Sequence, residues 1–172
     1  MGGTVVLKEY NPKWARFFEE ESDTIRKHGG DLLEAIEHIG STSVPGLVAK
    51  PILDLAIVMP DRRQLNAVIE RLTPQGYLDR GDKGDDGGYL LVRETARRAR
   101  AVHLHLVEAS DPQLTQWIAF RDLLRSSPEA RDRYSVLKRA LARKHELNRQ
   151  AYTAGKESLL HELTKAALSS DR

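Results

Sequence analysis

Residues 52–59 read ILDLAIVM, a run that is apolar at both alternating sets of positions and carries one charge, Asp54. Successive side chains of an extended chain leave on opposite sides, so a run of this kind predicts a strand with both faces covered. A carboxylate inside such a strand is costly unless a metal, a cationic side chain or a set of N–H donors meets it. The residues before it, HIGSTSVPGLVAKP at 38–51, hold a small-residue turn at Gly40 and Ser41 and hydroxyls at Thr42 and Ser43. A loop with Pro45 and Gly46 follows, then Lys50. Two readings of this stretch are open. In one, backbone N–H groups of the Gly-Ser turn and the hydroxyls cradle a phosphate, as anion-binding nests do, and Asp54 holds a divalent cation against it. In the other, a tight turn precedes a core strand and Asp54 caps a neighbouring loop.

The run from His38 to Asp54, with GSTSVPG followed by AKP and an Asp-containing strand, closely resembles the GrpB family. The resemblance continues in HLHLVE at 103–108, FRDLLRSSPEARDRYSVLK at 120–138 and AYTAGK at 151–156, so it covers nearly the whole chain. It implies the nucleotidyltransferase superfold, in which a Gly-Ser turn at the end of one strand precedes carboxylates on the next. The superfold pattern places two carboxylates two residues apart on one strand face. Here Ile52 and Ala56 flank Asp54 at that spacing, so the partner is missing. Mg²⁺ prefers oxygen ligands in octahedral geometry, and one carboxylate with substrate phosphates holds it only weakly.

In VHLHLVE, Val102, Leu104 and Leu106 face one way and His103 and His105 the other. Two histidines at i and i+2 of a strand project from the same face and can chelate one metal; such a pair also occurs on an ordinary polar sheet face. The superfold resemblance implies a further acidic ligand on a strand neighbouring the first; if this strand takes that place, His103 or His105 stands where that carboxylate would be. Glu108 has the chemistry but the wrong strand parity. The expected metal set is therefore Asp54, His103 and His105, taking Mg²⁺ or Mn²⁺, or Zn²⁺ as imidazole ligands favour.

Further candidates lie elsewhere. Arg93, Arg97, Arg98 and Arg100 fall within eight residues and read either as a solvated hairpin tip or as an anion-binding rim of guanidinium forks. Tyr152 and Lys156 are four apart on one helix face, placed to bind phosphate or stack a base, or to anchor the helix. Glu37 and His38 are minor candidates beside the turn. The stretch 81–88, with four glycines and three aspartates, lacks the spacing of a calcium loop and reads as a connection able to fold over a substrate.

Chain length bounds the organisation. At 172 residues one domain is expected: an α/β core over 1–110 with a helical segment over 111–172 packed on it. Hydrophobic periodicity predicts a mixed twisted sheet of about five strands with flanking helices, the strands near 4–9, 35–39, 52–59, 77–80, 89–94 and 101–108. Helices are expected over 12–27, 61–72, from Asp111, onward to about Asn148, and over 152–168. Net charge of +2 gives no global attraction to nucleic acid, and the absence of cysteine excludes disulfides and thiolate metal sites. No apolar run approaches the ~20 residues of a membrane span, so a cytoplasmic protein, monomeric or weakly dimeric, is expected. The function expected is metal-dependent transfer of a nucleotidyl group from an NTP to an acceptor. The alternative is a catalytically inactive module that binds a nucleotide or another phosphorylated small molecule.

Overall fold

A computed structural model describes residues 4–84, 87–95 and 100–170. Five strands form one mixed sheet in the order β1-β2-β5-β4-β3. β1 (Ala35–Ile39) runs antiparallel to β2 (Ile52–Met59), and β2 runs parallel to β5 (Arg100–Glu108). β4 (Tyr89–Thr95) and β3 (Leu78–Asp82) continue the sheet antiparallel. The expected strands at 35–39 and 52–59 form with those bounds. Residues 4–9 do not form a strand: they make one isolated antiparallel bridge, from Lys8 to Ala49, and a backbone hydrogen bond from the Val5 N–H to the Glu146 carbonyl.

Strand parity divides the core into two layers. Leu53, Leu55, Ile57 and Met59 of β2 join Leu104 and Leu106 of β5 beneath α1 (Lys13–Gly29) and α2 (Leu65–Leu72), with Trp14, Phe17, Ile25 and Leu72 filling the space. On the other face Ala56, Val58 and Val107 pack with Ile39 against Leu114, Trp117 and Ile118 of α3 (Pro112–Ser126). With the core side chains of β2 on one face, Asp54 belongs to the face beneath α3.

Beyond α3, the chain forms α4 (Pro128–Lys144), α5 (Arg149–Ala154) and α6 (Glu157–Ser170). Asp111 and Ser127 start α3 and α4 by accepting from the Gln113 and Ala130 amides, each with proline at the first helical position, as the sequence predicts. The helix expected over 152–168 is instead broken between α5 and α6. At Gly155 an added Cβ would lie 2.5 Å from a Leu141 methyl, so a larger residue there has to displace that side chain where α5 meets α4. Val44 and Leu47 of the loop after the Gly-Ser turn pack with Leu124, Tyr134 and Leu163, tying that loop to the C-terminal helices. Among the described residues no helix is long and apolar enough to cross a membrane.

Candidate functional site

β1 delivers the chain to Gly40 directly beside Asp54, because Ile39 is the register partner of Asp54. Gly40 has φ +70°, and a Cβ on it would lie 2.6 Å from Asp54 Oδ2. On the other side of β2, parallel pairing sets Asp54 opposite His103 and Ala56 opposite His105. The two imidazoles converge on one oxygen: His103 Nδ1 lies 3.4 Å and His105 Nε2 3.3 Å from Asp54 Oδ1. Candidate ligand atoms of the three residues lie within 4.8 Å of one another.

The hydrogen bonding of His105 fixes which nitrogen faces the carboxylate. Its Nδ1 is 2.8 Å from the Gly87 carbonyl, which only accepts, so Nδ1 carries a hydrogen. In the neutral ring Nε2 is then a lone pair pointing at the Asp54 oxygen. Two acceptors facing each other need a proton or a metal cation between them, and a backbone carbonyl behind a histidine is the arrangement that orients a metal ligand. The donor set thus fits a divalent cation, with nitrogen ligands that suit Mn²⁺ or Zn²⁺ better than Mg²⁺. Burial alone would raise the Asp54 carboxyl, but, with a proton on the facing imidazole nitrogens, His103 and His105 outweigh burial and hold the group well below the usual carboxylate range. Burial lowers His105, while Asp54 and Gly87 more than reverse this and raise it above its ordinary value.

These residues line one wall of a cavity of about 290 Å³. Gly40, Ser41 and Lys50 border it from the turn and loop, and Trp117, Phe120 and Tyr134 supply an aromatic wall from α3 and α4. Tyr152, Lys156 and Arg149 close the side formed by the last helices. The ammonium groups of Lys50 and Lys156 lie 5.2 and 4.6 Å from the centre of the Tyr152 ring. Lys138, absent from the sequence reading, enters here from α4; it is 2% exposed and donates to Ser41 Oγ at 2.7 Å and to the Val48 carbonyl at 2.6 Å. Burial, then the neighbouring Lys50, push Lys156 down to about 8.

Eight expected site residues therefore meet at one cavity: Gly40, Ser41, Lys50, Asp54, His103, His105, Tyr152 and Lys156. Three do not. Thr42 Oγ1 donates to the Ile52 carbonyl and pairs with His38, and Ser43 Oγ donates to the Gly40 carbonyl, so both hydroxyls serve to hold the turn. Arg93 is opposite Val102 and lies on the α1 face of the sheet, where it pairs with the buried Glu21 and covers the Tyr77 ring. Glu37 forms an ion pair with Arg121 at 2.7 Å. Arg97 and Arg98 of the expected rim, and Asp85 and Asp86 of the glycine-rich loop, lie outside the described residues.

The family model described as GrpB protein matches residues 4–166. The chain belongs to the GrpB family. A UPF0157 protein of Halalkalibacterium halodurans is 33% identical over 164 residues, covering 95% of this chain and 83% of that one. The UPF0157 protein YqkA of Bacillus subtilis is 34% identical over 148 residues, covering 86% of this chain but only 43% of its own length. The crystal structure of the GrpB protein from Enterococcus faecalis superposes with a TM-score of 0.85 at 30% identity, covering 96% of this chain and 98% of that one. Cid1 poly(U) polymerase in its MgATP-bound form gives a TM-score of 0.58 at 14% identity, covering 86% of this chain and 50% of that one. The fold of this GrpB chain is thus nucleotidyltransferase-like.

Proposed function

We propose that this cavity binds an NTP together with one divalent cation and transfers the nucleotidyl group to an acceptor hydroxyl or amine. The observation that carries the reading is the meeting of Asp54, His103 and His105 beside the Gly40–Ser41 turn, in a cavity otherwise lined by cations and aromatic rings. Asp54, His103 and His105 would hold the cation, which when bound offsets charge on the α-phosphate oxygens. Ser41, fixed by Lys138, and the ammonium groups of Lys50 and Lys156 orient the phosphates. The acceptor attacks the α-phosphorus in line and gives up its proton to solvent, the bond from that phosphorus to the bridging oxygen breaks, and pyrophosphate leaves with the negative charge that the lysines receive. The rings of Trp117 and Phe120 offer an apolar surface for a base.

One observation favours a second reading, a ligand-binding module without turnover. Ala56 shares the strand face of Asp54 and is fully buried, leaving the strand with one carboxylate where the superfold has two. Incubation of the protein with each NTP and Mn²⁺ or Mg²⁺ separates the two. Pyrophosphate release that disappears in Asp54→Asn supports transfer. Saturable nucleotide binding without pyrophosphate, unchanged by that substitution, leaves the binding module.

A further inference from the structure

Four cationic side chains, Lys50, Lys138, Arg149 and Lys156, border the cavity, and Asp54 is the one carboxylate among its described lining residues. None of the four forms an ion pair with a carboxylate among the described residues. Lys138 is the sharpest case: it is 2% exposed, and its partners are a hydroxyl, a carbonyl and the face of the Tyr134 ring 5.1 Å away. Burying an ammonium group beside others of the same sign is unfavourable twice over, through lost hydration and through repulsion. Lys50 and Lys156 also share one aromatic neighbour: their ammonium groups lie 5.2 and 4.6 Å from the centre of the buried Tyr152 ring.

The same cavity is poorly equipped for two metal ions. Paired-metal phosphoryl-transfer sites rely on several oxygen ligands to hold ions about 4 Å apart. Here one carboxylate is present, Ala56 occupies the next position on that strand face, and the remaining candidate ligands are imidazoles, which bring no negative charge. A second divalent ion would also enter a region already holding four positive side chains.

We propose that Lys50, Lys138, Arg149 and Lys156 form a subsite for a di- or triphosphate chain and neutralise it directly, taking the place of a second metal ion. This rests on the reading of the cavity as a nucleotide site and specifies how the leaving phosphates are held. The subsite works without any divalent ion, because ammonium and guanidinium groups supply both the charge and the hydrogen-bond donors.

Inorganic tripolyphosphate is the probe, titrated calorimetrically into the full chain in buffer containing EDTA. The expected result is saturable one-site binding that weakens as salt is raised. Lys138→Met should reduce affinity about tenfold or more, with a thermal melt checking that the variant folds without the donor to Ser41 and Val48. Lys156→Met tests the same subsite from a partly exposed position and should weaken binding in the same direction. Absence of binding in EDTA, with recovery on adding excess Mn²⁺, would overturn the proposal. So would unchanged affinity in both variants. The two readings fail separately: tripolyphosphate binding in EDTA without pyrophosphate release from any NTP keeps the subsite and removes transfer. Pyrophosphate release by a protein that binds tripolyphosphate only with divalent ions keeps transfer and removes the subsite.

Discussion

Gly40 and Asp54 sit so close that there is no room for a side chain on the turn: a Cβ at Gly40 would stand 2.6 Å from Asp54 Oδ2 and 3.0 Å from Asp54 Cβ. The glycine also has φ +70°, a conformation that side-chain-bearing residues adopt only with strain. Gly40→Ala should therefore do two things at once. Backbone strain and the clash should cost about 1–3 kcal/mol of stability in chemical denaturation. Displacement of the carboxylate should weaken Mn²⁺ binding about tenfold or more, read by electron paramagnetic resonance of the free ion. Full Mn²⁺ affinity in the folded variant would show that Asp54 takes no part in a cation site.

His38 offers a pH test that does not touch the proposed cation site. Its ring stacks on Phe18 with centroids 4.8 Å apart, and Nε2 pairs with Thr42 Oγ1 at 3.0 Å. Thr42 donates onward to the Ile52 carbonyl, so it accepts from His38, which stays neutral. Burial first, and then Arg125, lower His38 from 6.5 to about 4. Between those values the unfolded chain binds a proton that the folded chain does not. The stability contribution is thus complete above 6.5 and is lost as pH falls through 4, a difference of the order of 3 kcal/mol. His38→Gln keeps a donor to Thr42 but cannot titrate there. Denaturant melts from pH 7 to 4 should show wild type losing that much more stability than the variant, and parallel curves would refute the assignment.

The opposite face of the sheet carries a polar cluster whose role is stability. Glu21, 7% exposed, accepts from the Tyr77 hydroxyl and from Arg93, and the Arg93 guanidinium covers the Tyr77 ring. Removing the carboxylate leaves a phenol and a partly buried guanidinium without their acceptor. Glu21→Ala should cost about 3 kcal/mol. Adding Arg93→Met should recover part of the loss, because it removes the stranded charge. Nucleotide or tripolyphosphate binding should be the same in all three proteins. A binding defect in Arg93→Met alone would return Arg93 to the ligand site.

Those residues also show where the sequence is legible. The strand at 52–59 can be read directly because its hydrophobic run faces two covered layers, and period-two parity puts both histidines of β5 on one side. The same parity would have placed Arg93: it stands two residues from Leu91, a core residue, and so on the wrong face for the cavity. Thr42 and Ser43 could not be resolved in this way, since a hydroxyl that closes a turn and one that meets a ligand have the same spacing. Lys138, Arg149 and Trp117 come from helices whose docking over the sheet depends on long-range packing. Along the sequence they are indistinguishable from the charges and aromatics of ordinary solvated or core-facing helix positions. The apparent strand at 4–9 had the alternation of a strand but only one bridging partner.

Gly87 is the last residue whose conformation the site depends on. Its carbonyl receives Nδ1–H of His105 at 2.8 Å, which turns the Nε2 lone pair toward Asp54. Its φ is +149°, and a Cβ there would press on His105 Nδ1 at 3.1 Å. Gly87→Ala therefore strains the backbone and pushes the ring from its orienting bond. Loss of such a partner behind a metal ligand reduces affinity about 10- to 100-fold, so Mn²⁺ or Zn²⁺ binding should fall by that order. Tripolyphosphate binding in EDTA should be unaffected, because the four cations bordering the cavity do not depend on the ring of His105. Nitrogen-15 spectra of the imidazoles report the same change independently, with the fixed Nδ1–H tautomer of His105 giving way to exchange between tautomers. If the variant keeps both the tautomer and the metal affinity, the Gly87 carbonyl is a bystander and the pairing of Asp54 with His105 is held by the strands alone.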